Sequence, residues 1–346
     1  MRQNASRAMI AVLAGTMAAT CGLAGPVQRA SDRLVGTQLP AGDWGEQGFT
    51  GEVIAGLAHA YQLVPDGAYM DAANYAGDFA LADAGYDSLH GTYVVPLYAA
   101  EAYGLTRLSE ISATPLNNGW RTAVGDLFDE IRNYSGTTGD FIDQIVSDYG
   151  AGGVGTAVYD IARFTTAAGY VADVDLPTWR TGLMDTLADV DDDADAPVLA
   201  LGSGVWALAS TGEMDHTTLS GSSSVLNGKE LSELPGMLAD LQNGDGSFFW
   251  TFGGEYPGYT EPTVMATLGL TAVNVVYSAE TSAAVSVLAD GVDVDGVAYF
   301  LIGDNTTDSS FYFAGETLEA IPEPTTLCLL GIGVVAGAAR RRRRHC

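Results

Sequence analysis

Two stretches of this 346-residue chain carry residue types that could do chemistry. The first is ADVDDDADAP, residues 188–197, in which Asp189, Asp191, Asp193 and Asp195 alternate as hard oxygen ligands do; calcium is the ion such a set would take. A helix–loop–helix calcium loop counted from Asp189 wants glycine sixth and glutamate twelfth, where the chain has Ala194 and Ala200, so any calcium would be held in a looser geometry. The competing reading is local: aspartates ahead of an apolar helix favour its positive N-terminal end. The second stretch is DGSFFWTFGGEYPGYTEPT, residues 245–263. Phe248, Phe249, Trp250, Tyr256 and Tyr259 could stack on sugar rings, with Glu255, Tyr256 and Glu261 as candidate acid–base groups. The competing reading is that aromatics in a glycine-rich loop pack the rim of the fold. Asp43, Trp44 and Glu46 form a similar, smaller group near the start.

Little else is chemically suggestive. Of four histidines, His345 lies in the tail, which leaves His59, His90 and His216 with no HExxH pattern and no nearby cysteine to build a zinc site. His59 sits in an apolar segment and reads as a core residue; His90, in AGYDSLHGTY, follows an amphipathic helix and could act as a base. The glycine run from Gly150 to Gly155 has neither the preceding strand nor the following lysine of a phosphate loop.

Charge narrows the partners. The net charge is −28, and between residues 25 and 321 eight basic residues face forty-two acidic ones, a balance of about −34. Such a field repels phosphate backbones and anionic head groups, so nucleic acid is not an expected partner. Cys21, Cys328 and Cys346 all fall in terminal segments, so a body trimmed at both ends would hold no disulfide and would depend on packing.

The termini read as addresses. Arg2 and Arg7 precede an apolar run from Ala8 to Ala19 and then small residues, which is the pattern of a secretory signal peptide over 1–25, with cleavage near Ala24 or Ala30. A lipid acceptor at Cys21 is the rival, although Ala18-Ala19-Thr20 matches that signal poorly. At the other end, residues 325–339 are apolar, a transmembrane helix of about 22 Å that is short against a hydrocarbon layer of ~30 Å. Arg340, Arg341, Arg342, Arg343 and Arg344 follow it, placing the tail in the cytoplasm and the body outside. Pro322-Glu323-Pro324, a short apolar helix and a terminal basic cluster together resemble the PEP-CTERM sorting signal of Gram-negative bacteria. That resemblance implies recognition by an exosortase, cleavage near Pro322–Pro324, and release from an inner-membrane-anchored precursor to the envelope or an extracellular polysaccharide matrix.

What must position the two chemical stretches is a set of helices. Tyr69, Ala72, Ala73, Ala76, Phe79 and Ala80 recur at spacings of three and four, as do Leu176, Trp179, Leu183, Met184, Leu187 and Val190; each set makes one buried stripe. Segments 53–64, 93–108, 155–169, 196–210 and 263–277 are apolar nearly all round, and such helices belong inside. The two kinds alternate, and Trp120-Arg121-Thr122 is echoed by Trp179-Arg180-Thr181. Repeated outer and inner helices predict an all-α body over 40–321, built of five or six helical hairpins closed into a ring. Val297–Ile302 has strand composition, so a short β-hairpin is expected near 282–313, before a final helix around Gly315 to Ile321.

The pattern is similar to the α/α toroids, a group that includes terpenoid cyclases, protein prenyltransferases, polysaccharide lyases and glycoside hydrolases. Tyr69-Met70-Asp71-Ala72-Ala73 resembles the Tyr-Leu-Asp-Ala-Ala of sugar-active toroids. Gln38, Gly42 and Trp44 match the Gln-x-x-x-Gly-x-Trp turn of the cyclases, and Gln242, Gly246 and Phe248 match it with phenylalanine for tryptophan. Asp189, Asp191 and Asp192 resemble the cyclase Asp-x-Asp-Asp, which would make Asp191 a proton donor; Asp193-Ala194 stands where that family has Thr-Ala. The leading expectation is a non-catalytic or carbohydrate-binding toroid, and the runner-up is a secreted polysaccharide lyase or glycoside hydrolase.

Overall fold

The computed structural model describes residues 25–45, 49–82, 97–112, 116–254, 258–273, 275–304 and 308–321. The expected signal peptide, His90, Glu46, Glu255, Tyr256 and everything from Pro322 onward, including the expected transmembrane helix, lie outside them. Among the described residues no helix is long and apolar enough to cross a membrane.

The segments that are apolar all round become the inner wall of a ring. These are α2 (Thr50–Leu63), α4 (Ala99–Ile111), α7 (Val154–Val171), α9 (Pro197–Ser210), α11 (Thr260–Val273) and α13 (Phe311–Ala320). In α2 every residue from Thr50 to Ala60 is buried, and in α9 every residue from Pro197 to Leu208. Each inner helix packs on the next in chain order, and α13 packs back on α2, so the ring is closed. Small residues permit the approach: a Cβ on Gly56 would fall on the Gly315 carbonyl of α13, and one on Gly51 would fall on the Ala100 carbonyl of α4.

The outer layer is α1 (25–37), α3 (Gly67–Ala82), α5 (Leu116–Ser135), α6 (Thr138–Tyr149), α8 (Leu176–Leu187), α10 (Leu234–Asp240) and α12 (Ser278–Asp290). These helices bury a single stripe, as their spacing dictates; in α3 it is Tyr69, Ala72, Ala73, Ala76, Gly77 and Ala80. Among the described residues six outer-to-inner hairpins result, with α6 an extra outer helix between α5 and α7. Trp120 and Trp179 are both fully buried, so the echoed triplets are equivalent anchors. Trp179 meets Phe128, Phe141 and Phe164 at ring-centroid distances of 5.7, 6.2 and 5.3 Å.

The ring starts earlier than residue 40. Helix 25–37 buries Val27, Ala30, Ser31 and Leu34, and it completes the outer layer beside α12. The joints between consecutive outer helices show how. After α1, the Leu39 N–H donates to Asp43 O and the Gly42 N–H to Leu39 O; after α10, Asn243 and Gly246 repeat the pattern with Ser247 and Asn243; after α12, Asp293 and Gly296 repeat it with Val297 and Asp293. Gly42, Gly246 and Gly296 have φ of 109°, 102° and 81°, a region that costs little only for glycine, and a Cβ on each would strike the next outer helix. In two joints the glutamine amide finishes the clamp. Gln38 Nε2 donates to Gly42 O at 2.8 Å and Ala72 O at 3.0 Å, and Gln242 Nε2 donates to Gly246 O at 2.9 Å and Glu280 O at 2.8 Å. At the third joint Val292 replaces glutamine, and Arg29 of α1 supplies the donors instead, to Asp293 O at 2.8 Å and Val292 O at 2.9 Å. Gln38→Ala or Gln242→Ala is expected to lower unfolding free energy by about 1–2 kcal/mol in urea titrations, since each leaves a part-buried carbonyl unpaired.

Among the described residues the hairpin expected near 282–313 forms no paired ladder. Residues 278–290 are α12, and the described residues between α12 and α13 make isolated antiparallel bridges, Tyr299 to Ser309 and Tyr259 to Leu301. The strand-like side chains instead pack that loop onto the ends of α11 and α13. The final helix begins at Phe311, earlier than Gly315, with Phe313 and Leu318 buried.

Candidate functional site

All six inner helices run the same way, so their N-termini open at one face of the ring. The loops there carry the aromatic residues of the second chemical stretch. Trp250, Tyr259 and Phe300 form a triangle with centroid separations of 5.0, 5.5 and 5.1 Å. Phe300 continues to Phe313 at 5.7 Å, Phe313 to Tyr312 at 4.2 Å, and Tyr312 stacks on Phe49 at 4.5 Å. Trp250, Tyr259, Phe300 and Tyr312 are half-buried and Phe49 is exposed, so this is a wall with accessible edges; Phe248, by contrast, is core. Phe248 takes the tryptophan position of the second Gln-x-x-x-Gly motif, which is why it packs inward while Trp250 does not.

Under this wall the ring axis holds a charged cluster. Arg163 of α7 is buried, and its Nη2 lies 3.0 Å from Glu52 Oε1 of α2 and 3.0 Å from Glu316 Oε1 of α13. Its guanidinium stacks 3.5 Å from the centroid of Tyr159, whose hydroxyl donates to Glu316. Glu261, in the first turn of α11, joins the edge of the cluster and accepts from the Tyr312 hydroxyl, so one residue connects the axis to the aromatic wall. Glu101 of α4 is buried beside them and accepts from backbone N–H groups at the start of α2.

Acids here outnumber bases. Burial, opposed by Arg163, pushes Glu52 upward; burial with no close guanidinium raises Glu101 to about 7. Burial, reinforced by the Glu316 charge, raises Glu261 to about 8, and burial raises Glu316 as well. Near neutrality the cluster therefore holds protons as well as charge. A carboxylic acid that keeps its proton can donate it, and Glu261 is the member nearest the rim.

The acidic run lies elsewhere and is spread out. Asp189 accepts from the Ser222 N–H at 2.6 Å, Asp191 from the Ser224 hydroxyl at 2.8 Å, and Asp192 from the Gly253 N–H at 2.9 Å. Asp195 accepts from Gly155 N at 2.8 Å and so caps α7, the neighbouring inner helix, whereas the helix it precedes is α9. Asp193 is exposed. Each carboxylate clips a different loop, and among the described residues no set of three or more His, Cys, Asp or Glu side chains is grouped to hold a metal ion. Hydrogen bonds from Ser224 and Asp192 hold Asp191 below the usual carboxylate range, the direction opposite to what a proton donor needs. Asp43 is used by its own turn, where it accepts from the Gly45 N–H. Of the candidates named from sequence, Glu261 is the one among the described residues close enough to the buried Arg163 to feel its charge.

Glu52, Glu101, Arg163 and Glu316 are absent from the sequence-derived candidates because each is one of very few charges in a mostly apolar helix. That is itself a usable signal: a charge on an all-round buried helix must meet a partner across the ring.

Comparison with known proteins agrees with this architecture. Residues 320–344 match the PEP-CTERM protein-sorting motif. Among proteins of curated function, none matches the chain by sequence. A possible member of the GH105 family from Salmonella enterica serovar Paratyphi A superposes with a TM-score of 0.51 at 11% identity, covering 91% of this chain and 94% of the other. A type II terpene cyclase from Scytonema superposes with a TM-score of 0.49 at 14% identity, covering 90% and 99%. At these identities the hydrolase likeness concerns the fold. The chain is an α/α toroid that carries a PEP-CTERM protein-sorting motif at residues 320–344, which marks it as an exported, exosortase-processed protein.

Proposed function

We propose that the mature protein resides in the cell envelope or extracellular matrix and grips a polysaccharide chain at the face where the inner helices begin. The observation that carries this reading is the half-exposed wall that runs from Trp250, Tyr259 and Phe300 to Tyr312, whose hydroxyl binds Glu261 at the edge of the Arg163 cluster. Flat apolar ring faces suit the C–H faces of sugars, and a carboxyl and hydroxyl at the wall's foot suit their hydroxyl groups. The strongly acidic surface favours neutral or cationic glycans over polyuronates, which it repels. Helix 25–37 bears on processing, because cleavage after Ala30 would cut it in half and remove Arg29 from the closing joint, whereas cleavage after Ala24 keeps it whole.

Affinity electrophoresis through gels containing neutral, amino-sugar or uronic-acid polysaccharides tests the reading. Retardation by a neutral or amino-sugar polymer is expected, reduced roughly tenfold in apparent affinity by Trp250→Ala, since losing a stacked ring costs about 1–2 kcal/mol. Migration unaffected by every polymer would refute it.

A second reading, glycoside hydrolysis, is favoured by one feature: Glu261 holds its proton near neutral pH while its neighbour Glu316 shares Arg163. That is the division of labour between a general acid and a second carboxylate. Release of reducing ends from a polymer that binds, abolished by Glu261→Gln although the gel still retards the variant, would select this reading over simple binding.

A further inference from the structure

The opposite face of the ring, where the inner helices end, holds a cavity of about 590 Å³, within the size range of small-ligand sites. Its wall includes Tyr103, Trp206, Tyr170, Arg107, Glu110 and Glu319. We infer that this cavity binds a compact organic cation through an ammonium group, at a site separate from the saccharide wall.

Three observations point to a cation. The first is aromatic: Tyr103 and Trp206 meet edge to face at 4.9 Å, so two rings form adjoining walls, and Tyr170 lines the same space with its hydroxyl fixed on Ser109 at 2.9 Å. Adjoining ring walls are how ammonium groups are held. The second is the charge count. Arg107 is shared by Glu110 and by Glu319, whose carboxylate lies 3.7 Å from Arg107 Nε and accepts from the Tyr103 hydroxyl. One guanidinium between two carboxylates leaves a negative surplus. The third is the backbone. None of the six inner helices has a basic residue of its own in its last turn, so their negative dipole ends converge here, met among the described residues of the outer layer only by Arg121, 5.1 Å from the Tyr170 ring centroid, and by Arg180, which is paired with Glu213. An anionic ligand would meet all three unfavourably, since Arg107 is already engaged. The net charge of −28 adds long-range attraction for a cation.

Isothermal titration calorimetry of the full chain with choline, glucosamine, glucose and galacturonate tests this. Choline represents a quaternary head group, glucosamine a protonated amino sugar, glucose a neutral sugar and galacturonate an anion. Saturable binding of choline or glucosamine is expected, weakened about tenfold by Trp206→Leu and unaffected by Trp250→Ala. Because Trp206 is buried and its replacement could disturb the fold, Glu110→Gln, at a more exposed site, provides a second reading and should weaken the same binding several-fold. Absence of heat from both ammonium probes, equal or tighter binding of glucose or galacturonate, or an affinity unchanged in Glu110→Gln and in a folded Trp206→Leu, would overturn the inference.

Discussion

The protein is expected to melt at a higher temperature at pH 5 than at pH 8. Glu101 and Glu261 titrate near 4.5 when the chain is unfolded, but burial raises them to about 7 and about 8 in the ring. Between those values the folded state binds protons that the unfolded chain has released. Their contribution is thus fully present below about 4.5 and is lost as pH rises through the folded values. Glu52 and Glu316 shift the same way, whereas the carboxylates held low, such as Asp191 and Asp293, titrate below this window. Each extra bound proton changes stability by about 1.4 kcal/mol per pH unit, so two of them between pH 5 and 7 amount to roughly 5 kcal/mol. For a ring of this size that corresponds to a melting shift on the order of ten degrees. Calorimetry at constant ionic strength reads it directly, and Glu261→Gln should make the curve shallower. A melting temperature that falls on acidification from pH 8 to pH 5 would contradict the assignment.

The second large effect is expected from Arg163→Met. The methionine keeps the apolar stem of the side chain but removes the guanidinium that lies 3.0 Å from both Glu52 and Glu316. Breaking a buried ion pair from one side leaves the other charges without compensation, which costs about 3–5 kcal/mol near neutral pH. At pH 5 the orphaned carboxyls take up protons and the loss shrinks, so the variant should show a steeper pH dependence than the parent. Adding Glu52→Gln and Glu316→Gln to Arg163→Met should return much of the stability, because a neutral set no longer needs the arginine. Urea unfolding of the parent, the single variant and the combined variant measures this. A loss below about 1 kcal/mol at pH 7 for Arg163→Met would mean that water reaches the axis and that the cluster is not buried as described.

The ring itself is legible in the sequence because burial on all sides leaves a clear mark: α2, α7, α9 and α11 are apolar all round, and α3 and α8 carry one stripe each. The Gln-x-x-x-Gly turns are legible too, since their chemistry is local. The third joint is not. Its clamp comes from Arg29, 264 residues before Asp293, and no local pattern records a bond between the two ends of the chain. Helix 25–37 is hidden for the same reason, its buried stripe having meaning only once α12 lies beside it. The acidic run stands out by its density, yet its carboxylates point to Ser222, Ser224, Gly253 and Gly155, partners that only the tertiary fold supplies. The axial cluster is the extreme case, drawing Glu52, Glu101, Arg163, Glu261 and Glu316 from five helices, one from each. Its parts look like isolated irregularities until the ring closes. The sorting motif, by contrast, is contiguous and needs no fold to be read.

Retention of the exported toroid by a polysaccharide, through its aromatic face, is tested most directly in the native cells. The washed extracellular matrix of cells producing the parent protein, or a Trp250→Ala, Tyr259→Ala double variant, is assayed for the protein by immunoblot. The parent should remain in the washed matrix, while the double variant, folded and trimmed to the same mass, should pass into the medium. Equal retention of the two proteins would contradict the claim.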